Sequence, residues 1–433
     1  MVESATGPHY VIDHASLTDV GLRRANNQDS HTVVLAGGED ELRSRGHMFL
    51  VADGMGGHAA GELASKLACN GITHIYRKLV DRSPVDALRQ AFRETNESIF
   101  SRGQANAEFQ GMGTTSCVLL LLPEGALTAH VGDSRIYRLR DNVLEQLTFD
   151  HSVVWEMKAA GHLAGGEVPA FVPRNQITRS LGPHSEVQAD LEGFFALEAG
   201  DTFLLCSDGL SGQVKDEEIG VVLAALPPDE AVQTLVHLAN LRGGPDNITV
   251  VVVKVVRWPA ASAGSTSGPL AKAPGLAGVS TLLWVVFGIC VPVAAVMALL
   301  SKTLPAVLSG LGALVAAAAG AWQAMSRPPQ PEARDPGRPL GKGPHTTRRC
   351  VADQASVAVL AGLVEQLRDT ASRQPWQIDW ARASALTEAA HAAAGRKAFL
   401  EAAAGYARAI TFLMGEIRSQ AARQTAGQQA VGG

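Results

Sequence analysis

Two long uncharged stretches divide this chain of 433 residues. No charged residue lies between Ala273 and Ser301, and after Lys302 none follows until Arg327. Each stretch exceeds the roughly 20 apolar residues that a helix needs to cross a bilayer. The sequence therefore predicts a hairpin of two transmembrane helices, residues 279–300 and 306–325, joined by a short turn.

The charges that flank this hairpin predict its orientation. Three basic residues precede it between 254 and 272, six follow it between 327 and 349, and the turn holds only Lys302. Because basic residues favour the cytoplasmic side, we expect a two-pass protein of the inner cell membrane with both flanks in the cytoplasm. The alternative is a buried helical hairpin or a re-entrant insertion, since the second stretch is rich in Ala and Gly and only weakly hydrophobic.

Composition and cysteine usage exclude other classes of protein. The chain has 42 acidic against 37 basic residues and a net charge of −5 without a long basic run, so no nucleic-acid partner is expected. The five cysteines are scattered and never spaced as Cys-x-x-Cys, which indicates neither a disulfide framework nor a zinc site. The N-terminus lacks the basic region and apolar core of a signal peptide.

The hairpin leaves a large segment before it and a smaller one after it. Residues 10–257 mix helices with strands separated only by turns, which predicts an α+β fold rather than a strictly parallel sheet. A Pro/Ala/Ser/Gly linker spans 258–275 and a Pro/Arg-rich connector spans 327–344. A small all-α tail spans 345–420. We interpret it as a tetratricopeptide-like helical pair or an independent bundle, either of which offers a docking surface for a protein partner.

Aspartates at strand ends and turns carry the chemistry of the first segment. Two apolar runs end in Asp53-Gly54 and Asp208-Gly209, Asp133 and Asp246 lie beside turns, and Asp29 ends the polar run 24–29. Turn chemistry alone explains any one of them. Together, converging carboxylates without matching Lys or Arg would repel one another unless they bound cations. Ligands that are all oxygen favour a hard ion, Mg²⁺ or Mn²⁺, over zinc.

Seven ordered blocks of motif residues place these aspartates in a wider pattern. The blocks are Gly21–Asp29, Ala52–His58, Gly111–Thr115, Val131–Arg135, Ile177–Gly182, Ser207–Leu210 and Gly244–Thr249. In this order they resemble the motifs of the metal-dependent type 2C protein Ser/Thr phosphatases in their bacterial form. The resemblance covers residues 10–257. It implies a sandwich of two antiparallel β-sheets flanked by helices, with a two-metal site in a cleft at one edge.

The resemblance also implies a metal-binding role for each aspartate that matches the pattern. Asp53 is expected to bridge two Mn²⁺ or Mg²⁺ ions, with the Gly54 carbonyl on the second ion. Asp208 and Asp246 are expected to hold the first ion, and Asp29 to act largely through bound water.

Further residues that match the pattern complete the implied site. Asp133 matches a position that helps to hold a weaker third ion. Arg24 is expected to grip the substrate phosphate, because its planar fork donates two hydrogen bonds to two oxygens. Met55 stands where eukaryotic relatives carry a His proposed as general acid. His58 is therefore a candidate for protonating the leaving oxygen, with a capping or packing role as its alternative. Residues 151–179 resemble the variable flap beside the site.

The implied function is hydrolysis of phosphoserine and phosphothreonine in proteins by a metal-activated water, in membrane-associated bacterial signalling. The expected partners are phosphorylated proteins, a cognate Ser/Thr kinase and, through the hairpin, a membrane. A catalytically silent, phosphatase-like scaffold is the alternative from another class. A hydrolase of cyclic nucleotides or other small phosphoesters is a third possibility.

Overall fold

A computed structural model describes residues 10–57, 59–162, 172, 176–259 and 340–431. The described residues on both sides of the long gap belong to one compact unit, Met1–Ala261 with Pro339–Gly433. Two antiparallel sheets lie face to face in this unit, and helices cover the outer face of each sheet. The result is a four-layered α/β/β/α sandwich.

Twelve strands are described in the two sheets. The first sheet has the order β1-β11-β10-β7-β8-β12, and the second has the order β2-β3-β5-β6-β9, with the short β4 also paired to β3. The strands are β1 (Val11–Asp19), β2 (Asp29–Val34), β3 (His47–Met55), β4 (Gly113–Thr114), β5 (Ser116–Leu122), β6 (Gly125–Val131), β7 (Arg135–Arg140), β8 (Val143–Gln146), β9 (Asp190–Phe195), β10 (Thr202–Cys206), β11 (Ile248–Arg257) and β12 (Thr346–Arg349).

Seven of the helices in the described parts of the chain fall into three groups. The helices α2 and α3 cover the second sheet, α6 and α7 cover the first, and α8 to α10 form the tail. Their bounds are α1 (Glu39–Arg45), α2 (Ala59–Lys78), α3 (Pro84–Ala105), α4 (Val153–Ala159), α5 (Asp208–Ser211), α6 (Asp216–Ala225), α7 (Pro228–Leu241), α8 (Gln354–Ser372), α9 (Trp380–Gly395) and α10 (Phe399–Val431).

Alternation of side chains along the central strands explains the layers. Successive residues of a strand point to opposite faces of the sheet. In β3, Phe49 therefore packs between the sheets while Leu50 packs against the helical layer. In β10 of the first sheet, Phe203 likewise packs between the sheets and Leu204 packs against the helical layer. Both faces of these strands are buried, which is why their sequences are continuous apolar runs. The predicted α+β sandwich of two antiparallel sheets is thus observed.

The tail helices pack against the helical layer of the first sheet. Ile410 in α10 and Leu235 in α7 are fully buried in one apolar cluster that also includes residues of β10 and β11. A polar contact joins the same two helices, because the Thr411 and Thr234 hydroxyl oxygens are 3.0 Å apart, within hydrogen-bond distance. The tail therefore shares its core with the sandwich.

A short segment after the long gap adds an edge strand to the sandwich. Strand β12 pairs antiparallel with β8, in a register that places Thr346 opposite Gln146. Lys342 and Gly343 lie just before β12 in the chain. Their backbone N–H groups donate to the buried carboxylate of Glu192 in β9, at 2.7 Å and 2.6 Å respectively. The segment is thus fastened to both sheets, to β8 in the first and to β9 in the second.

The structure corrects the prediction of a transmembrane hairpin. Among the helices of the described ranges, none combines the length and the apolar character that a membrane span requires. The longest of them, α10, has 33 residues, but its sequence contains charged residues such as Glu401, Arg408 and Glu416. This part of the predicted fold class is therefore not supported, nor are the two-pass inner-membrane location and the membrane contact that depended on it. The predicted spans, residues 279–300 and 306–325, lie outside the described residues.

Candidate active site

Strand pairing brings the first two aspartates together. Strands β2 and β3 are antiparallel neighbours, and their register places Asp29 directly opposite Asp53. Directly opposite residues of an antiparallel pair have Cβ atoms about 5 Å apart. Both side chains therefore lie at one end of the second sheet.

Two of the other three aspartates come from the first sheet, and the third lies in a turn between the two sheets. Asp208 is the first residue of α5, two residues after the last residue of β10, and Asp246 lies in the turn that leads into β11. Because β10 and β11 are antiparallel neighbours, the end of one meets the start of the other. Asp133 lies in the turn between β6 of the second sheet and β7 of the first.

The five carboxylates are close enough to perturb one another strongly. Burial raises the pKa of Asp53 well above its usual range, and the nearby charges of Asp29, Asp208, Asp133 and Asp246 raise it further. Burial and the charge of Asp246 also raise the pKa of Asp208, although an interaction with Asp53 opposes them. Such a cluster favours either protonation or a bound cation.

Hydrogen bonds moderate this effect at Asp29. Burial raises the pKa of its carboxyl to about 7, while hydrogen bonds from Ser207 and Thr249 act to lower it. The Ser207 hydroxyl donates to Asp29 Oδ2 at 2.7 Å. One oxygen of Asp29 is thus held by the protein.

Three carboxylate oxygens of the cluster are buried without a hydrogen-bond partner in the part of the chain that the structure describes. They are the Oδ1 atoms of Asp29, Asp133 and Asp208. A buried polar atom without a partner is costly, and such atoms in a folded protein call for an explanation. Clustered anionic oxygens are the ligands that Mg²⁺ and Mn²⁺ prefer. The residues at this site therefore fit divalent cations.

The glycine after each strand-end aspartate is required by close backbone packing. A Cβ at Gly54 would lie 2.1 Å from the carbonyl oxygen of Gly61 and 2.6 Å from that of Gln28. A Cβ at Gly209 would lie 2.0 Å from the carbonyl oxygen of Asn247. Only glycine allows these approaches, so the Asp-Gly pairs fix the backbone around the site.

Arg24 lies at the rim of the aspartate cluster. Its Nη2 donates to Asp246 Oδ2 at 2.7 Å, and its side chain remains 49% exposed. Because the guanidinium is half-exposed, it can contact an anion that enters from solvent while it remains beside the aspartates. The structure thus brings together Arg24 and all five aspartates.

Neighbouring polar side chains that the sequence analysis did not single out support these residues. Asn247 accepts a hydrogen bond from the Gln28 N–H at 2.8 Å and donates to the carbonyl oxygens of Val20 and Asn26, each at 3.0 Å. It therefore pins the loop that carries Arg24 to the turn that carries Asp246. The available signal was its position directly after Asp246 in a motif block.

Thr115, the residue between β4 and β5, supports Asp53. Its hydroxyl accepts a hydrogen bond from the Asp53 N–H at 2.9 Å and lies 2.7 Å from the Ser134 hydroxyl. The contact links the turn of Asp133 to the end of β3. Thr115, like Asn247, lies inside a motif block, but only the fold shows which aspartate it contacts.

A separate group of potential metal ligands lies beside the turn of Asp133. It consists of His130, His151 and Asp190, whose ligand atoms lie within 4.8 Å of one another. His151 Nδ1 accepts from the Gly132 N–H at 3.0 Å, and its Nε2 contacts Asp190 Oδ2 at 3.1 Å. Both ring nitrogens of His151 are therefore engaged. As arranged, His151 anchors the turn that carries Asp133 to strand β9.

Two parts of the predicted site lie wholly or partly outside the described residues. His58 is one of them, so its role stays a prediction. The segment predicted as a flap is described except for residues 163–171 and 173–175. Its first part forms α4, and the Thr178 hydroxyl donates to Glu156 of that helix at 2.6 Å.

Comparison with known proteins gives a consistent result for the N-terminal segment. A family model described as protein phosphatase 2C matches residues 23–236. Protein phosphatase PhpP of Streptococcus pneumoniae is 42% identical over 248 residues, which cover 55% of this chain and 96% of PhpP. Serine/threonine protein phosphatase PstP of Mycobacterium tuberculosis is 39% identical over 248 residues, 57% of this chain and 46% of PstP.

A solved structure agrees with the sequence comparisons. The crystal structure of the M. tuberculosis serine/threonine phosphatase PstP/Ppp matches with a TM-score of 0.50 and 37% identity. The match covers 56% of this chain and 98% of the crystallised one. The family model ends before the tail helices, which begin at residue 354.

Proposed function

Because this chain belongs to the protein phosphatase 2C family, we propose that its aspartate cluster hydrolyses phosphoserine and phosphothreonine in protein substrates. The chain is a protein Ser/Thr phosphatase, and a Ser/Thr kinase that phosphorylates the same proteins opposes it. The observation that carries the proposal is the set of buried carboxylate oxygens on Asp29, Asp133 and Asp208 that find no partner among the described residues. A catalytically silent scaffold does not require such a cluster, and buried carboxylates without partners destabilise the fold.

Two Mn²⁺ or Mg²⁺ ions are the cofactors of this site. Asp53 would hold both ions, with the Gly54 carbonyl on one of them and Asp208 and Asp246 on the other. Asp29 would act through bound water. When bound, the ions neutralise phosphate charge and supply a nucleophilic water at neutral pH. No cysteine or serine nucleophile is then required.

The remaining site residues hold an ion, bind the phosphate or move a proton. Asp133 would help to hold a weaker third ion. Arg24 would bind the phosphate through its planar fork, which matches two phosphate oxygens. His58 is our candidate for giving a proton to the departing Ser or Thr oxygen. Ser207 and Thr115 keep Asp29 and Asp53 in place through the hydrogen bonds described above.

A turnover assay on the full chain tests this proposal. We expect hydrolysis of p-nitrophenyl phosphate and of a phosphothreonine peptide in the presence of Mn²⁺ or Mg²⁺, and its loss on addition of a chelator. Asp53→Asn should lower kcat by at least about a hundredfold, because it removes the charge shared by both ions. Asp379→Asn changes an aspartate at the start of α9 in the tail and is the matched control, with activity expected to stay at the parent level.

The same assay separates the alternatives. A scaffold would bind the phosphopeptide without turnover at any metal concentration. A hydrolase of small phosphoesters would cleave p-nitrophenyl phosphate or a cyclic nucleotide and leave the phosphopeptide nearly untouched. Activity that survives both the chelator and Asp53→Asn would refute the metal mechanism itself.

A further inference from the structure

An ion pair joins the tail to the end of strand β1. Arg418 Nη1 of α10 lies 2.7 Å from Asp19 Oδ2. The Asp19 side chain is only 12% exposed, while that of Arg418 is 40% exposed. A largely buried carboxylate makes this contact stronger than an ordinary surface pair, because water screens it less.

The second oxygen of Asp19 holds the loop that follows β1. Asp19 Oδ1 accepts hydrogen bonds from the Gly21 N–H at 2.9 Å and from Asn240 Nδ2 at 3.2 Å. Burial alone would raise the pKa of Asp19, but its bonds with Arg418, Gly21 and Asn240 lower it below its usual value. Asp19 thus joins the tail, helix α7 and the start of the loop at one carboxylate.

This loop packs tightly on the turn that carries Asp246. The Leu22 N–H donates to the Gly244 carbonyl at 2.8 Å. Gly21 has a φ of +78°, and a Cβ there would lie 2.2 Å from the Asp246 carbonyl oxygen. Three residues after Gly21, Arg24 reaches the Asp246 carboxylate. A shift of the loop would therefore displace Arg24 relative to the metal-binding aspartates.

We propose that Arg418 is a positioning residue for phosphate binding: through Asp19, it fixes the loop that places Arg24 at the rim of the active site. The inference rests on the proposed role of Arg24 as the phosphate-binding residue. It gives the tail a part in the reaction of the N-terminal segment. The family model, which ends at residue 236, does not include this contact.

A second ion pair between the same two parts of the molecule provides a matched control. Arg408 Nε of α10 lies 2.6 Å from Glu230 Oε2 of α7, with side chains 47% and 35% exposed. Glu230 lies in the first turn of α7, whereas Asn240 and the Gly244 turn lie at its other end. Arg408 therefore fastens the tail without contacting the loop of Arg24.

The proposal is tested on the full chain with Arg418→Gln, Arg418→Lys and Arg408→Gln. We expect Arg418→Gln to raise KM about fivefold for both the phosphothreonine peptide and p-nitrophenyl phosphate, which share the phosphate group. The change in kcat should stay below about twofold. Arg418→Lys should recover most of the loss because it keeps the charge, and Arg408→Gln should leave KM at the parent value.

Epistasis with Arg24 separates positioning from a general loss of stability. In an Arg24→Ala background, Arg418→Gln should raise KM no further, because the group that it positions is absent. An equal rise in both backgrounds would overturn the proposal. So would an unchanged KM in the parent background, or a rise of the same size in Arg408→Gln.

Amide hydrogen exchange gives a readout that needs neither metal nor turnover. The Gly21 and Leu22 amides are bonded to Asp19 and Gly244, so Arg418→Gln should speed their exchange several-fold relative to the parent and to Arg408→Gln. Unchanged exchange would refute the positioning role even if the parent chain proved inactive. Faster exchange in an inactive parent would support the positioning of the loop and contradict the proposed function alone.

Discussion

At the scale of single residues, buried histidines limit the pH range over which the fold is stable. His47 at the start of β3 is fully buried, and its Nδ1 accepts a hydrogen bond from the Ala36 N–H at 3.0 Å. Burial, together with the nearby His14, lowers the pKa of its ring from 6.5 to about 4, and Glu41 opposes the shift. The folded state therefore requires neutral His47.

This requirement predicts a loss of stability in acid that His47→Asn should relieve. As the pH falls below 6.5, the unfolded chain binds a proton at residue 47 while the folded chain resists until about pH 4. The stability advantage of the parent over the variant should therefore shrink by roughly 2 kcal/mol between pH 7.5 and pH 5. Urea unfolding of both proteins at several pH values measures this difference.

His74→Asn is the control for that measurement, because His74 is an exposed residue of α2. Its stability relative to the parent should vary little over the same pH range. A constant difference between the parent and His47→Asn from pH 7.5 to pH 5 would show that His47 does not titrate as its burial implies.

The aspartates of the site were more predictable from the sequence than the side chains that bind them by hydrogen bonds. The aspartates could be found because repeated Asp-Gly and Pro-Asp pairs at strand ends are visible as a pattern. The partners of Asp29 and Asp53, by contrast, depend on which strand ends meet, as Ser207 and Thr115 show. The glycines after Asp53 and Asp208 permit close backbone packing, which the Asp-Gly pattern alone does not reveal.

At the scale of elements, the edge segment around β12 depends on one buried carboxylate. Glu192 Oε2 accepts hydrogen bonds from two backbone N–H groups, and its Oε1 lies 2.9 Å from His345 Nε2. A Cβ at Gly341 would lie 2.0 Å from Glu192 Oε2, so the segment wraps closely around this side chain. Burial would raise the pKa of Glu192, but these bonds lower it below its usual value.

Glu192→Gln should therefore destabilise the protein while preserving side-chain size. The amide loses the charge that strengthens three hydrogen bonds and presents a donor where the backbone also donates. We expect a loss of about 2 kcal/mol or more in the free energy of unfolding, measured with urea. Glu198→Gln is the matched control, because Glu198 pairs with Arg140 at a side-chain exposure of 62%. Equal losses in the two variants would contradict a special role for Glu192.

Strands differed in how far their sequences predicted them. The strands β10 and β11 are buried on both faces, and each has the continuous apolar run that indicates a buried strand. The strand β1 has no such signal in its sequence, because it mixes polar and apolar residues and is half exposed. Its partner β11 supplies the missing constraint through a long antiparallel register from Val11 to Asp19. Pairing partners of this kind cannot be read from local sequence.

At the scale of the whole molecule, the tail is part of the sandwich that carries the active site. Its helical periodicity was predictable, since Val364 and Ile410 belong to apolar stripes. The partner of those stripes was not, because periodicity indicates an apolar face without showing what covers it. In the structure, that face packs against the helices of the first sheet. The docking of another protein on the tail stays a prediction and would have to use the surface that this packing leaves exposed.

A shared core predicts that the tail and the sandwich unfold together. Ile410 of the tail is fully buried, with 0% of its surface accessible. It packs in the same apolar cluster as residues of α7, so it does not belong to a separate tail core. Ile410→Ala leaves a cavity at this junction and should cost about 2 to 4 kcal/mol. Because the junction is common to both parts, the cost should appear in the stability of the active site as well as in that of the tail.

Two probes of one urea titration test this expectation. Helical circular dichroism reports on the molecule as a whole, and initial turnover rates report on the active site. For Ile410→Ala, both transitions should move together to lower urea, whereas Val359→Ala should leave both in place because Val359 is 49% exposed on α8. If turnover persisted at urea concentrations where part of the helical signal was lost, the tail would be an independent unit. Coincident transitions would instead mean that any ligand or partner that stabilises the tail also stabilises the phosphatase site.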